Sequence, residues 1–442
     1  MAEIYDYSTP DLGFGRVIYD DPDSTVGYQE YEREFNSTLL FTILTALISG
    51  NLMYFGDPGS GKTTTPEIAG QVLFGLSLED IQRATIYGHP NLTEEKLLAA
   101  YDLAAMVKYG RKIPIPTTWA LSPFRILDEA PRIPPEITSI VYQMVDRAVL
   151  VYDGHKIEAP YGPIYATANF YDPGSYQMTP AFLDRWAVGV LALGLGPQNL
   201  ERLFYSSHGE ITKDFVLSED DRAGIKMGIH QIGIEGLSLQ RLKHLASGLR
   251  TCEFAGNYWW NRQKVNFMGK RKAPDFCKDC GLEETEQVCS QINENGMSTR
   301  ALIAIKQYGQ ALAWLLGYPK INDQILQNLL RYVNGHRLSA SNIALQEEGT
   351  EDTRVRSKVF GHDVASFSDN LWQKGGAKFT AHSSVMAKYQ ELMEDASSPG
   401  VSKDQILKDS AALLKELESM EDPAKYDMLA AVHRVRRITR NR

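Results

Sequence analysis

Apolar and polar positions follow one another along this chain in an order that predicts alternating strands and helices. From Glu30 to Ile48 apolar side chains recur at helical spacing, and Gly50 closes the segment. Asn51-Leu52-Met53-Tyr54-Phe55 is a short apolar run, the pattern of a buried strand. A glycine-rich turn follows, then a helix from about Lys62 to Phe74. Arg125-Ile126-Leu127 ends a second strand, and Pro134-Pro135 opens a helix from about Glu136 to Asp146. The run from Ala148 to Glu158 is broken by Asp153-Gly154 and predicts a β-hairpin, because Asp-Gly suits a two-residue turn between twisted strands. Ile164 to Asn169 and Val188 to Leu193 are two further core strands. Strand–loop–helix units in this order imply an α/β fold with a parallel sheet flanked by helices.

Around this core the pattern changes. Residues 1–25 are rich in Tyr, Asp, Pro and Gly and predict an irregular arm, followed by an α/β core over 26–196. Residues 80–116 are more polar, with a helix expected around Glu94–Tyr109. Residues 197–338 are helical in pattern, with a cysteine-containing insertion at about 252–290. Residues 339–442 form a C-terminal extension, mostly helical, with helices over Lys403–Met420 and Lys425–Ile438. No internal repeat is present.

Composition narrows the class. The 442 residues are 43% hydrophobic and 23% charged, the profile of a soluble globular protein. The 46 basic and 55 acidic side chains leave a net charge of −9, which argues against a field that binds nucleic acid over the whole surface. No apolar run approaches the roughly 20 residues that span a bilayer, so no membrane partner is expected. The first residues, Met1-Ala2-Glu3-Ile4-Tyr5-Asp6, lack the basic and apolar regions of a signal peptide, and a cytoplasmic location is expected.

The chemistry concentrates in three places. Gly56-Asp57-Pro58-Gly59-Ser60-Gly61-Lys62-Thr63 has the spacing of a phosphate-binding loop, with Thr64 beginning the helix behind it. Glycines let the backbone curl so that N–H groups face the phosphates, and the helix N-terminus adds partial positive charge. Lys62 is expected at the β- and γ-phosphates of ATP, and Thr63 at Mg²⁺. Pro66 is the one awkward residue, since it falls early in that helix. Asp128-Glu129 ends an apolar strand; Asp128 suits Mg²⁺, and Glu129 suits activation of the attacking water. Asn169 closes a third strand, where its amide could meet the γ-phosphate or the lytic water, or cap the next turn.

With these elements in order, the chain resembles the AAA+ ATPases of the MoxR family. The resemblance rests on Val26-Gly27-Tyr28-Gln29-Glu30, on Leu52 to Thr63, on Leu127 to Pro135, and on the hairpin before Ala166-Thr167-Ala168-Asn169. It continues through Pro180-Ala181-Phe182-Leu183-Asp184-Arg185-Trp186 and Gly296-Met297-Ser298-Thr299-Arg300. Phe170 and Ala130-Pro131 depart from the family pattern without removing a catalytic group. The resemblance implies a P-loop AAA+ core, then a helical lid over 197–338. It implies that Arg185 is an arginine finger serving the neighbouring subunit and that Arg300 contacts the γ-phosphate from the lid. It also implies a homo-oligomeric, hexameric ring and the remodelling of a protein partner, in some relatives one with von Willebrand A domains.

Two further segments carry candidate chemistry. Cys252, Cys277, Cys280 and Cys289 include a Cys-x2-Cys step followed by Gly281, a turn able to aim two thiolates at one metal. Structural Zn²⁺ is the expectation; a four-iron cluster, or no metal with Cys252 buried in a helix, are the alternatives. Tyr258 to Lys272 mixes aromatics with basic residues, and the chain ends in basic residues from His433 to Arg442. These segments raise a second reading, an ATPase stimulated by DNA or RNA. Their plainer readings are packing of the insertion and a solvated helix end.

Overall fold

Two strands precede the first helix. β1 (Leu12–Tyr19) and β2 (Gln29–Phe35) pair antiparallel, with a bulge between Phe14 and Val17. The irregular arm expected over 1–25 is thus corrected for Leu12–Tyr19, where pairing with a distant partner decides the conformation. The helix expected from Glu30 also begins later. Asn36 directly follows β2 and its Oδ1 accepts the Leu39 N–H at 3.0 Å, so α1 is Ser37–Ile48. This computed structural model describes residues 12–19, 29–169, 174–192, 216–250, 288–292, 296–340, 364–398, 400–420 and 424–441.

The next elements build the sheet. In chain order they are β3 (Asn51–Phe55), α2 (Thr64–Phe74), β4 (Thr85–Tyr87), β5 (Ala99–Tyr101), β6 (Pro114–Pro116) and β7 (Arg125–Asp128). They continue with α3 (Pro135–Arg147), β8 (Val149–Tyr152), β9 (His155–Glu158), β10 (Ile164–Ala168) and β11 (Val188–Leu191). Five strands form one parallel sheet in the order β11-β3-β10-β7-β4. Ala168 lies opposite Phe55, Leu191 opposite Phe55 on the other side, and Tyr87 opposite Asp128, so the strand ends that carry chemistry share one edge. The central strands are buried on both faces, as parallel strands under helices must be: Leu52, Met53, Ile126, Leu127 and Tyr165 are fully enclosed. Polar atoms inside are paired. The Tyr54 hydroxyl meets Thr42 Oγ1 at 2.6 Å, and the Tyr165 hydroxyl donates to Thr42 O at 2.9 Å.

Two small ribbons flank the sheet. β8 and β9 form the hairpin expected around Asp153-Gly154. β5 and β6 pair antiparallel and interrupt the helix expected over Glu94–Tyr109, which becomes two short helices, Glu94–Leu97 and Leu103–Tyr109. Asp102 ends β5 and caps the second of these through Ala105 N–H, a local bond that helical periodicity alone does not reveal.

The chain divides into two compact units: Met1–Gly233 with Arg300–Pro319, and Ile234–Thr299 with Lys320–Arg442. In the first unit α4 (Glu219–Gln231) starts at a capping box of Ser218 and Asp221. Arg222 donates to Leu73 O at 3.1 Å and lies over the Phe74 ring. The second unit begins with α5 (Gly236–Arg250). The chain returns to the first unit in α6 (Thr299–Leu316), from Arg300 onward. There the buried Tyr308 hydroxyl donates to Asn51 O at 3.1 Å and meets Thr45 Oγ1 at 2.8 Å. α4 and α6 therefore group with the sheet, not with a separate helical region starting at 197, because their buried faces pack on α1 and β3.

The second unit is helical. α7 (Asp323–Asn334) and α8 (Val364–Ala381) pack together and on α5, and α9 (Ser383–Ser397), α10 (Lys403–Ser419) and α11 (Ala424–Asn441) join one apolar cluster that includes Leu413, Leu417 and Val432. Arg241 on α5 binds Asp323 at 2.7 Å and lies over the Trp372 ring. Among its described residues the C-terminal extension is mostly helical, as expected, and shares its core with α5 and α7.

Candidate functional site

The phosphate-binding loop joins β3 to α2. Gly59 and Gly61 take φ of 81° and 79°, left-handed values that L side chains rarely adopt, and this curls the loop. Thr63 stands at the N-cap of α2 yet makes no capping bond; its hydroxyl donates instead to Asp128 Oδ1 at 3.0 Å. Pro66 falls in the first turn of α2, where a missing N–H leaves no helical bond unmade, so the awkward residue is accommodated. Lys62 is buried, and its ammonium donates to Gly56 O at 2.9 Å and Asp57 O at 2.6 Å. Burial pulls its pKa below the ordinary lysine value, against the opposing charges of Asp128, Asp57 and Glu129. Ser60 Oγ donates to Asp57 O at 2.9 Å and stiffens the turn.

The acidic pair lies at the end of β7. Asp128 Oδ1 accepts from Thr63 and, at 2.6 Å, from the hydroxyl of Thr167. Glu129 sits in the left-handed region at φ 52°, ψ 46°, and its N–H donates to Thr167 Oγ1 at 2.8 Å. Its carboxylate pairs with Arg132 at 2.8 Å, both side chains about a third exposed. Gly88, just after β4, donates its N–H to Asp128 O at 2.7 Å, and a Cβ there would come within 2.1 Å of Glu129 O. That close approach requires glycine. Sequence reasoning gave no role to Thr167, Arg132 or Gly88; their partners lie on other strands or one turn away.

Loop and acidic pair open on one cleft of about 430 Å³, within the range of small-molecule sites. Asp57, Pro58, Gly59, Gly61, Lys62, Thr63 and Thr64 line one side; Asp128, Glu129, Arg132, Thr167 and Asn169 line the other. Asn169 directly follows β10, as expected. The donors fit Mg²⁺: a hydroxyl and a carboxylate, both hard oxygens, 3.0 Å apart. The local charge fits as well. Glu67, in the first turn of α2, has its carboxyl pushed above the usual range by burial and then by Asp128, so negative charge is crowded here.

Arg185 and Arg300 are not among the cleft-lining residues. Both meet at Asp146, near the C-terminus of α3: Arg185 Nε at 3.2 Å and Arg300 Nη2 at 3.2 Å. Arg300 Nη1 also reaches Asp184 at 3.3 Å. Arg185 donates to Ala181 O at 2.6 Å and lies 3.9 Å from the Tyr142 ring centroid. Arg300, expected at the γ-phosphate from a lid, lies here at Asp146 and Asp184. Its helix packs in the first unit, which carries the guanidinium to Arg185.

Cys252, Cys277 and Cys280 lie outside the described residues, as do Val26 to Tyr28 and the Tyr258–Lys272 segment. Cys289 is half-buried on a short turn over Val288–Gln291. Among the described residues no group of three or more His, Cys, Asp or Glu side chains is placed to hold a metal ion. No helix among them is long and apolar enough to cross a membrane.

No family model matches the sequence, and no curated protein does. Solved structures do resemble the fold. One, described as a "putative ATPase" from Cytophaga hutchinsonii, superposes with a TM-score of 0.54 at 17% identity, over 76% of this chain and 88% of that one. The sheet order and this likeness define the fold as an α/β core, a parallel sheet flanked by helices with a glycine-rich loop after β3, with helical regions after it.

Proposed function

We propose that this chain is an AAA+ ATPase of MoxR type that hydrolyses ATP, assembles into a ring and remodels a partner protein. One observation carries the hydrolytic reading: the phosphate-binding loop, Asp128, Glu129 and Asn169, remote from one another in sequence, line one cleft. The loop N–H groups and Lys62 hold the triphosphate. Lys62 leaves its bonds to Gly56 O and Asp57 O for the β- and γ-phosphate oxygens, which offer it full negative charge. Thr63 and Asp128 are the residues that would hold Mg²⁺, which neutralises charge on those oxygens when bound. Glu129 orients the attacking water and takes its proton as the new P–O bond forms and the bridging P–O bond breaks, giving ADP and phosphate. Asn169 meets the water or the γ-phosphate.

Ring assembly is supported by the place of Arg185 and Arg300. Two guanidinium groups gathered off their own cleft suit a neighbour's γ-phosphate, where positive charge lowers the transition-state energy. Hexamer is the family expectation, and a protein substrate accords with the net charge of −9.

The test is steady-state hydrolysis by the wild type and Glu129→Gln. The variant is expected to bind ATP and to lose about 100-fold or more of the turnover. A wild type that binds no ATP, or a variant with unchanged turnover, contradicts the reading. Adding single-stranded DNA or RNA probes the nucleic-acid alternative; strong stimulation that salt abolishes would replace the protein-substrate reading.

A further inference from the structure

Thr167 lies on β10 two positions before Asn169 and is 1% exposed. Its hydroxyl donates to Asp128 Oδ1 at 2.6 Å and accepts the Glu129 N–H at 2.8 Å. One hydroxyl therefore holds the side chain of the first acid and the main chain of the second. The main-chain bond matters because Glu129 is left-handed at φ 52°, a conformation that persists for a non-glycine residue only where the surroundings fix it. The side-chain bond matters because Thr63 donates to the same Asp128 oxygen. Thr167 thus holds the oxygen that receives the Thr63 proton, and with that proton directed at Asp128 the Thr63 oxygen keeps its lone pairs for a cation.

A β-branched residue on a buried strand needs no functional explanation by itself. A valine would fill the same space and leave no hydroxyl to satisfy. Here the hydroxyl instead ties two cleft-lining residues, both on the neighbouring β7 or directly after it, to the strand that presents Asn169.

We infer that Thr167 is a positioning residue for ATP hydrolysis, fixing Asp128 and Glu129 at a constant spacing from Asn169 and from the loop. The inference rests on the ATPase reading above. Thr167 touches no reacting atom; it acts through the two acids.

Thr167→Val and Thr167→Ser test it, with kcat and KM from steady-state hydrolysis and ATP affinity by calorimetry with and without Mg²⁺. Thr167→Val removes both bonds at nearly constant shape. Its Tm should fall by about 2–6 °C, as for other lost buried polar contacts, while its Mg²⁺-free ATP affinity stays as it was. It should lose about 10–100-fold in kcat, and the gain in ATP affinity on adding Mg²⁺ should shrink. Thr167→Ser keeps the hydroxyl and should stay within about threefold of wild type. Thr167→Ala, which removes the same bonds without a second methyl, serves as an independent variant should valine impair folding, and the same split is expected of it. A Thr167→Val enzyme with wild-type kcat and Mg²⁺ response, or a serine variant as impaired as the valine one, overturns the inference. A wild type without hydrolysis defeats the ATPase reading instead.

Discussion

Arg125 opens β7 with its guanidinium turned inward. Nε donates to Trp119 O at 3.0 Å, and Nη2 to Ala120 O at 3.2 Å and Pro160 O at 3.0 Å, with the residue 1% exposed. It ties the turn before β7 to the exit of the β8–β9 hairpin. Burial pushes its pKa down to about 10, below the ordinary arginine value. Between those two values the unfolded chain holds a proton that the native chain does not, so stability rises with pH only from about 10 upward. At lower pH the charge is present in both states. Arg125→Met leaves the carbonyls of Trp119, Ala120 and Pro160 without this donor and should cost about 1–3 kcal/mol. In urea unfolding the loss should be the same at about pH 6 and about pH 9. A loss that shrinks at neutral pH would mean that the side chain is not held as a buried cation.

At the scale of elements, one hydroxyl ties α6 to β3 and α1. Tyr308 joins Asn51 O, at the start of β3, and Thr45 on α1. Tyr308→Phe leaves both groups short of a partner inside the core, at about 1–2 kcal/mol. In a unit of this size that lowers Tm by about 2–6 °C, while ATP affinity stays as it was, since Tyr308 does not line the cleft. An unchanged Tm would show that these two bonds do not help to hold α6. The hairpin has a comparable fastening: the Tyr101 hydroxyl donates to Asp153 Oδ2 at 2.5 Å, with Lys112 at 3.8 Å from the same oxygen. These polar contacts at ribbon ends join segments whose strands alone are too short to be stable.

For the whole molecule, the functional question is whether Arg185 serves its own chain or another. Arg185→Ala and Glu129→Gln should each hydrolyse poorly alone, yet an equal mixture should recover part of the wild-type turnover. Some shared sites would then receive an intact Glu129 from one protomer and an intact Arg185 from the next. No recovery, in mixtures shown by light scattering to be co-assembled, would place Arg185 in its own chain's site. Hydrolysis per protomer should also rise with protein concentration until assembly is complete.

Much of the core was legible because its signals are local. The loop from Gly56 to Thr63, the apolar strand before it and the Asp153-Gly154 turn are set by consecutive residues, whose dihedral preferences act without distant partners. The strands carrying Asp128 and Asn169 were legible for the same reason. What joins them was not. That one hydroxyl holds both acids and that Arg185 and Arg300 share Asp146 depends on strand order and on how α6 docks. Sequence fixes such side chains as types; only packing brings together groups 39 or 154 positions apart, because their attraction falls off within a few ångströms.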